Sequence, residues 1–387
     1  MASPARRVRV FLPCSGLGRE ARGFETFTRE CAAALAGRDD VEVTVFGGGA
    51  ALLATERHVG ALSRRGAAAG LLGALLRRVP YVVEQESFAL SFLPSLVGGD
   101  PDLVYFADLN LGNALWHWRR ASGQRYRMLF YNGGATTRPF TRCDLVQQVS
   151  PEHLAAALAR GESPERQVLL PHGIDVPGTF VRPTDDARRA VRRALGVPAD
   201  GPLVLSVGAL DVSVKRMDYV VREVAALGAP RPHLLLLGAD TAETPALRQL
   251  AAEALGAGQV TMRSVDRATA LAAYGAADVF VLASVREGFG LAYLEALMSG
   301  VPCVVHETPT TAYLFGPHGR RADLTRPGVL AGALAELLAG RAGADDRAAE
   351  ARHAWVRDRF SWTRLAPRYV ELFRACAEGR PPILEST

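Results

Sequence analysis

The chain has 387 residues, more than one hydrophobic core usually organises, so two domains are expected. Its 49% apolar and 22% charged residues are typical of a globular protein. No apolar run is long enough to cross a bilayer, and the segment before Val8 lacks the apolar stretch of a signal peptide.

The formal net charge is +5. Nearly all of the 45 basic residues are arginines, because Lys215 is the one lysine. No basic run carries interleaved aromatic residues, so the charge does not predict nucleic-acid binding. We attribute it to a bias toward Arg, Ala and Gly. Because Lys215 is a lysine despite this bias, we expect that its position requires a flexible, point-like ammonium.

Five cysteines lie far apart, without a CxxC pair or a histidine at metal-binding spacing. They are Cys14, Cys31, Cys143, Cys303 and Cys376. An odd, scattered set predicts buried thiols in a reducing compartment, and therefore a cytoplasmic protein.

Apolar strands alternate with helices through the first half of the chain. The predicted strands are Val8–Pro13, Val41–Phe46, Leu103–Phe106, Met128–Tyr131, Leu145–Val149 and Gln167–Leu170. Helices are predicted at 24–35 and 151–160. A third, Gly66–Leu76, is apolar and bracketed by arginines; we favour a role in covering a core over one on an anionic membrane surface.

A proline-rich segment, Pro171–Arg193, interrupts this rhythm and predicts an inter-domain linker. The alternation then restarts with strands at Leu203–Val207, His233–Leu237, Val279–Ala283 and Pro302–Val305. Strand–helix alternation in both halves predicts two doubly wound parallel sheets. Ligands of such sheets bind at the carboxyl ends of the strands.

The strongest local signal is the segment from Glu287 to Glu295, which follows a strand and opens a helix. Gly288 and Gly290 allow the backbone to approach a ligand, and free amides at the helix start favour an anion. The two carboxylates would repel a phosphate unless they faced neutral hydroxyls. The pattern therefore favours a sugar nucleotide, and a helix whose acids merely offset its dipole is the alternative.

This segment resembles the Glu-x7-Glu motif of retaining glycosyltransferases of family 4, which have the GT-B fold. Gly23-Phe24-Glu25 is similar to the family's Gly-Gly-x-Glu element at the start of the first helix. Pro171-His172-Gly173-Ile174-Asp175 is similar to its inter-domain Pro-Asn-Gly-Val-Asp element. Val207-Gly208, followed by Lys215-Arg216, resembles the strand and loop that supply cations to the diphosphate.

The resemblance implies an α/β protein of the GT-B class, with two Rossmann-like doubly wound parallel-sheet domains facing a central cleft. It implies an acceptor-binding domain at 1–178 and a donor-binding domain at 179–360. The C-terminal helix at 361–387 would cross back to the first domain. Trp362 and Tyr369 would then pack at the domain junction and not on the second sheet alone.

The resemblance also assigns roles. Lys215 would neutralise the leaving diphosphate, Glu295 would hold the ribose hydroxyls, and Glu287 would lie beside the donor sugar. The expected catalytic residues are Lys215, Glu287 and Asn132. The expected donor-binding residues are Gly16, Gly23, Gly208, Lys215, Arg216, Val265, Glu287, Gly288, Phe289, Gly290, Leu291 and Glu295.

Two positions depart from the family pattern. Ala209 stands where the family commonly has arginine, and Arg216 is the candidate to replace that charge. Asn132 stands where a histidine commonly ends its strand. Because an amide cannot act as a general base, Asn132 would orient an acceptor or sugar hydroxyl.

The implied reaction is substitution at the anomeric carbon with retention, in which the departing diphosphate oxygen takes the acceptor proton. No Asp-x-Asp motif follows a strand, so neither a metal nor another cofactor is expected. UDP is the most frequent nucleotide in the family. The Arg, Ala and Gly bias favours an antibiotic-type or other specialised small-molecule hydroxyl acceptor, and envelope glycan synthesis is the alternative.

Two rival functions remain. Gly16-x-Gly18-x-x-Ala21 mimics a dinucleotide fingerprint and makes an NAD-linked oxidoreductase possible. However, the second strand ends Val45-Phe46-Gly47-Gly48, without the acid that would bind the ribose. The other rival is a sugar-nucleotide-binding protein without turnover, which Ala209 and Asn132 favour.

Overall fold

The computed structural model describes residues 6–19, 23–51, 55–134, 142–256, 258–340 and 345–384. The chain forms two compact units. The first contains residues 1–175 and 360–387, and the second contains residues 176–359. The sequence places these boundaries at 178/179 and 360/361, within three residues of the structural division.

The first unit is built on a parallel sheet whose strands, in the described part of the chain, run in the order β3-β2-β1-β4-β5-β6-β7. They are β1 Val8–Cys14, β2 Val41–Gly47, β3 Glu56–His58, β4 Leu103–Phe106, β5 Arg127–Asn132, β6 Leu145–Gln148 and β7 Gln167–Leu169. In the register, Val10 of β1 lies opposite Val43 of β2 and Leu103 of β4. Strands of such a sheet are apolar along their length because both faces are covered.

Helices cover this sheet. They are α1 Gly23–Leu35, α2 Ala67–Leu76, α3 Pro80–Gly99, α4 Leu109–Ser122 and α5 Pro151–Ala159, with a 3₁₀ turn at Pro164–Arg166. On one side an aromatic core joins β1, β2 and α3. The Phe46 ring lies 4.7 Å from that of Phe11 and 4.8 Å from that of Phe92, measured between centroids.

The second unit has a parallel sheet in the order β10-β9-β8-β11-β12-β13 over the residues described. Its strands are β8 Leu203–Val207, β9 His233–Leu237, β10 Val260–Arg263, β11 Val279–Leu282, β12 Cys303–His306 and β13 Arg320–Ala322. The two sheets confirm the predicted fold class, an α/β protein with two Rossmann-like doubly wound parallel sheets.

Eight helices are described for this part of the chain. They are α6 Asp185–Leu195, α7 Met217–Ala225, α8 Thr244–Leu255, α9 Arg267–Ala276, α10 Leu291–Met298, α11 Pro309–Phe315, α12 Val329–Ala339 and α13 Asp346–Phe360. The linker predicted to reach Arg193 is therefore wrong in its second half, which is α6. Thr184 caps α6 by accepting a hydrogen bond from Ala187 N, and Arg188 and Arg192 both bind Asp278. Those ion pairs tie α6 to the start of β11.

The last helix, α14 Trp362–Glu378, packs on the first unit. Ile174 N donates to Phe360 O at 2.9 Å, and Trp362 N donates to Ile174 O at 3.0 Å. The Trp362 ring also lies against Gly173, where an added Cβ would enter the indole. These contacts fix the start of the tail beside the last residues of the first segment.

A buried hydroxyl anchors the middle of α14. Tyr369 Oη accepts from Gln147 Nε2 at 2.9 Å and donates to Pro171 O at 3.0 Å. Gln147 also accepts a hydrogen bond from Tyr105 and donates to Leu170 O at 2.8 Å. The polar groups of β4, β6 and α14 therefore satisfy one another inside the first unit.

We expect Tyr369→Phe to lower the free energy of unfolding by about 1–3 kcal/mol, because Gln147 and Pro171 would each lose a buried partner. Urea unfolding of both proteins measures the difference. Tyr81→Phe is the control, since the hydroxyl of this exposed residue binds Asp108 near the surface and its loss should cost less. Equal stability of Tyr369→Phe and the wild type would contradict the anchoring role.

Candidate functional site

In the second unit, two adjacent strands bring two of the three predicted catalytic residues to one edge of the sheet. β8 and β11 are paired, with Val279 opposite Val204 and Phe280 opposite Leu205. Both strands are parallel, so the loops that follow them leave at the same edge. One loop carries Lys215 and the other carries Glu287.

The two loops are joined by an ion pair. Lys215 Nζ lies 2.6 Å from Glu287 Oε2, and both side chains are mostly buried. The lysine stem crosses Gly208, where an added Cβ would lie 3.1 Å from three of its carbons. Asp211, which the sequence analysis missed, accepts from Lys215 N at 2.6 Å and from Val214 N at 3.0 Å. The loop is therefore shaped to hold the ammonium beside the carboxylate.

This pair retains binding capacity. An ammonium has three donors, so Lys215 can hold Glu287 and still donate to an anion. Glu287 has a second oxygen that can accept from a neutral hydroxyl. The arrangement suits a ligand in which an anionic group lies next to hydroxyl groups.

Gly290 begins α10 in a left-handed conformation, with φ of 86°. An added Cβ there would strike the Tyr293 ring and lie 3.1 Å from Glu287 Cγ, so the close approach requires glycine. Phe289 is buried, while Leu291 is half-buried at the first helical position. Burial, and then the charge of Glu287, raises the pKa of Tyr293 well above its usual value, so its phenol stays neutral beside the pair.

Glu295 lies on the buried side of α10 and is held from α9. Its Oε1 accepts from Arg267 at 2.7 Å, and its Oε2 accepts from the Tyr274 hydroxyl at 2.8 Å. Burial, together with the Glu295 charge, raises the pKa of Tyr274, which therefore remains a donor. Val265 precedes α9 by two residues and is half-buried. Nothing in the sequence pattern indicates this contact between α9 and α10.

Arg216 is placed differently from Lys215. It caps α7 in a left-handed conformation with φ of 53°. Its guanidinium donates to Leu324 O at 2.7 Å and stacks over the Tyr219 ring at 4.5 Å. Two nearby structural partners therefore hold this cation, whereas Lys215 is paired with Glu287.

The remaining predicted residues lie in the first unit. Asn132 ends β5, is buried, and donates to Gln148 Oε1 at 2.7 Å. Gln148 in turn donates to Gln167 Oε1 at 2.7 Å, so an amide chain links the last residues of β5 and β6 to the first residue of β7. Gly16 is buried in the turn after β1, and Gly23 is exposed at the first position of α1.

The glycine-rich turn after β1 packs on the turn after β2. Gly18 has φ of 79°, and an added Cβ would lie 2.7 Å from Ala50 O. A Cβ on Gly49 would meet the Gly18 backbone in the same way. Close backbone packing accounts for Gly18 of the segment that mimics a dinucleotide fingerprint, and the last residue of that segment, Ala21, lies outside the described residues.

Comparison with known families places this site within one domain. Residues 201–340 match the family model described as Glycosyl transferases group 1. This segment is therefore similar to group 1 glycosyltransferase domains. It contains every predicted site residue of the second unit, from Gly208 to Glu295, while Gly16, Gly23 and Asn132 lie outside it.

Curated relatives of the chain carry the name D-inositol 3-phosphate glycosyltransferase. The protein of Xylanimonas cellulosilytica is 30% identical over 236 residues, which cover 57% of this chain and 54% of the relative. That of Stackebrandtia nassauensis is 35% identical over 210 residues, which cover 48% of this chain and 46% of the relative. The chain thus spans about half the length of the curated relatives it matches.

Solved structures agree with the fold along almost the whole chain. Sucrose-phosphate synthase from Thermosynechococcus elongatus has a TM-score of 0.78 at 22% identity, covering 95% of this chain and 98% of that one. Anabaena HepE in complex with UDP-glucose has a TM-score of 0.74 at 16% identity, and the match covers 95% of this chain and 100% of HepE. These neighbours are GT-B glycosyltransferases, so the predicted GT-B fold is confirmed.

We expect Glu295→Ala to weaken nucleotide affinity roughly ten- to hundredfold, through loss of a charge-assisted hydrogen bond to ribose. Calorimetric titration with UDP measures the change. Glu253→Ala is the control, because it removes an exposed carboxylate of α8 outside the predicted site and should leave UDP affinity unchanged. Equal UDP affinity of Glu295→Ala and the wild type would remove Glu295 from the nucleotide site.

Proposed function

We propose that the chain is a retaining glycosyltransferase of family 4 that moves a sugar from a UDP-sugar to a hydroxyl acceptor. The observation that carries this proposal is the Lys215–Glu287 pair at the start of α10. A cation, a carboxylate and a helix start at one place match the diphosphate and the sugar of a single donor. The group 1 domain that contains the pair supports the same reaction.

Lys215 and the amides at Phe289–Leu291 bind the diphosphate in this proposal. Amides at a helix start have no partner within the helix and favour negative charge. Gly208 and Gly288 allow the diphosphate to approach the backbone. A preorganised cation is most useful when the diphosphate leaves, because negative charge then grows on its oxygen.

The nucleoside half is assigned to Glu295 and Val265. Arg267 and Tyr274 hold the Glu295 carboxylate in one orientation, and each of its oxygens keeps a second lone pair for a ribose hydroxyl. The Val265 backbone receives the base. Uridine is supported by structural neighbours of this chain determined with UDP and with UDP-glucose.

Glu287 binds donor-sugar hydroxyls, and Asn132 orients the attacking hydroxyl. The bond between the anomeric carbon and the diphosphate oxygen breaks as the acceptor oxygen bonds to that carbon from the same face. The acceptor proton passes to the departing oxygen, so no protein base is required. Gly16 and Gly23 are further residues assigned to donor binding in this proposal, and Arg216 would contribute positive charge from the start of α7.

The acceptor is proposed to be a small hydroxylated molecule, with a specialised metabolite of the antibiotic type as the intended class. The name of the curated relatives makes inositol 3-phosphate the first acceptor to test. Five buried, scattered cysteines support a cytoplasmic location. Mass spectrometry of mixtures of UDP-sugars and acceptors would detect the product, and NMR would show whether the anomeric configuration is retained.

Lys215→Ala should reduce turnover by about two orders of magnitude or more, since a preorganised charge contact to the leaving group is lost. Lys215→Arg tests whether charge alone suffices, because a planar fork cannot reproduce a point-like ammonium. Release of UDP under saturating donor measures both variants. Near-normal turnover of Lys215→Ala would disprove the assignment of this residue.

Transfer should continue after chelation, because Lys215 and helix amides are proposed to stabilise the leaving group without a metal. Within the described ranges, no three His, Cys, Asp or Glu side chains form a group suited to a metal. The measurement is turnover with EDTA, and then with Mg²⁺ or Mn²⁺ restored. Loss of activity in EDTA with recovery on metal addition would show that this account is wrong.

A further inference from the structure

Helix α2 presents three of its four leucines to solvent, while the fourth, Leu72, is half-buried. Its ten residues, AAAGLLGALL, include no polar or charged side chain. The buried members are the small Ala69 and Gly73, whereas Leu71 and Leu75 are 74% and 78% exposed. A helix that covers a core has the reverse arrangement. The expectation that this helix covers a core is therefore wrong.

The local backbone fixes this orientation. Arg77 ends α2 in a left-handed conformation with φ of 52°, and Arg78 N donates to Gly73 O at 2.8 Å. A Cβ at Gly73 would collide with the Arg78 carbonyl oxygen. Gly73 therefore faces the returning chain, and Leu71 and Leu75, two residues to either side, lie on the opposite face of the helix.

Two further apolar side chains are exposed near the end of the helix. Leu76, its last residue, and Val79, which follows it, are each more than half exposed. We call Leu71, Leu75, Leu76 and Val79 the α2 patch. Contiguous apolar surface of this kind usually marks a contact with a partner or a membrane.

Arginines flank the α2 patch at both ends. Arg65 precedes the helix, and Arg77 and Arg78 follow it. Arg78 pairs with Glu86 at 3.1 Å, and both side chains are well exposed. Around Arg77, no carboxylate of the described residues is within ion-pair distance. In contrast, Arg64 is directed inward to the buried Glu84.

We propose that the α2 patch docks on an anionic lipid surface. Leucines would enter the boundary between headgroups and acyl chains, and the flanking arginines would meet anionic headgroups. A second copy of the chain fits less well. Since both ends of α2 carry arginine, pairing α2 with itself in either direction would bring like charges together. No described helix is long and apolar enough to span a bilayer.

Vesicle flotation of the full chain tests this proposal. We expect wild-type protein to float with vesicles of phosphatidylglycerol and phosphatidylcholine, and to bind pure phosphatidylcholine more weakly. Leu71→Ser combined with Leu75→Ser should reduce binding to the anionic vesicles at least tenfold. The matched control is Val181→Ser with Ile383→Ser, because those side chains are 79% and 83% exposed elsewhere. The control should float like the wild type.

Arg77→Ser tests the contribution of charge separately from that of apolar burial. This variant should bind anionic vesicles more weakly than the wild type does, and should bind pure phosphatidylcholine vesicles as the wild type does. Circular dichroism and UDP affinity should be unchanged in every variant, since none of these residues lies in the proposed donor site. Wild-type protein that stays unbound to anionic vesicles, or equal binding by the leucine double variant, would overturn the proposal. So would a wild-type dimer in light scattering that becomes monomeric in that variant.

Discussion

The register of β8 against β11 is the constraint on which the candidate site depends. It brings together two loops whose charged residues are 72 positions apart in the chain, and Lys215 and Glu287 meet only through it. The residue after β9 packs closely on the residue after β8, since an added Cβ on Gly238 would coincide with the Gly208 carbonyl oxygen. Backbone therefore packs on backbone here, and the lysine stem occupies the space that Gly208 leaves.

Much of the fold was predictable because buried parallel strands are continuous apolar runs. Leu203–Val207 and His233–Leu237 match the observed strands at both ends. The linker was overextended because prolines and aspartates before α6 were interpreted as a break, although Thr184 and Asp185 also form a helix-capping signal. The orientation of α2 was missed because an all-apolar sequence has no polar face to indicate which side is exposed.

The candidate site was predictable where chemistry is local in sequence, and unpredictable where it depends on contacts between helices. The glycines and acids around Glu287 lie in one short segment, so their pattern was visible. The contacts of Glu295 with Arg267 and Tyr274 join two helices, and no spacing encodes them. Arg216 is adjacent to Lys215 in sequence, but the left-handed backbone at this position and the Leu324 carbonyl give it another environment.

The placement of α14 has a consequence for how the protein is made. The first unit needs residues from both ends of the chain, because Tyr369 completes the hydrogen bonds of Gln147 and Pro171. A ribosome that has finished the first segment must add about 200 more residues before α14 exists, which takes roughly 10–40 s at typical bacterial rates. During that interval Phe27 and Tyr105 lack the aromatic partners that α14 supplies. The second unit, whose segment is continuous, can therefore reach its native state before the first.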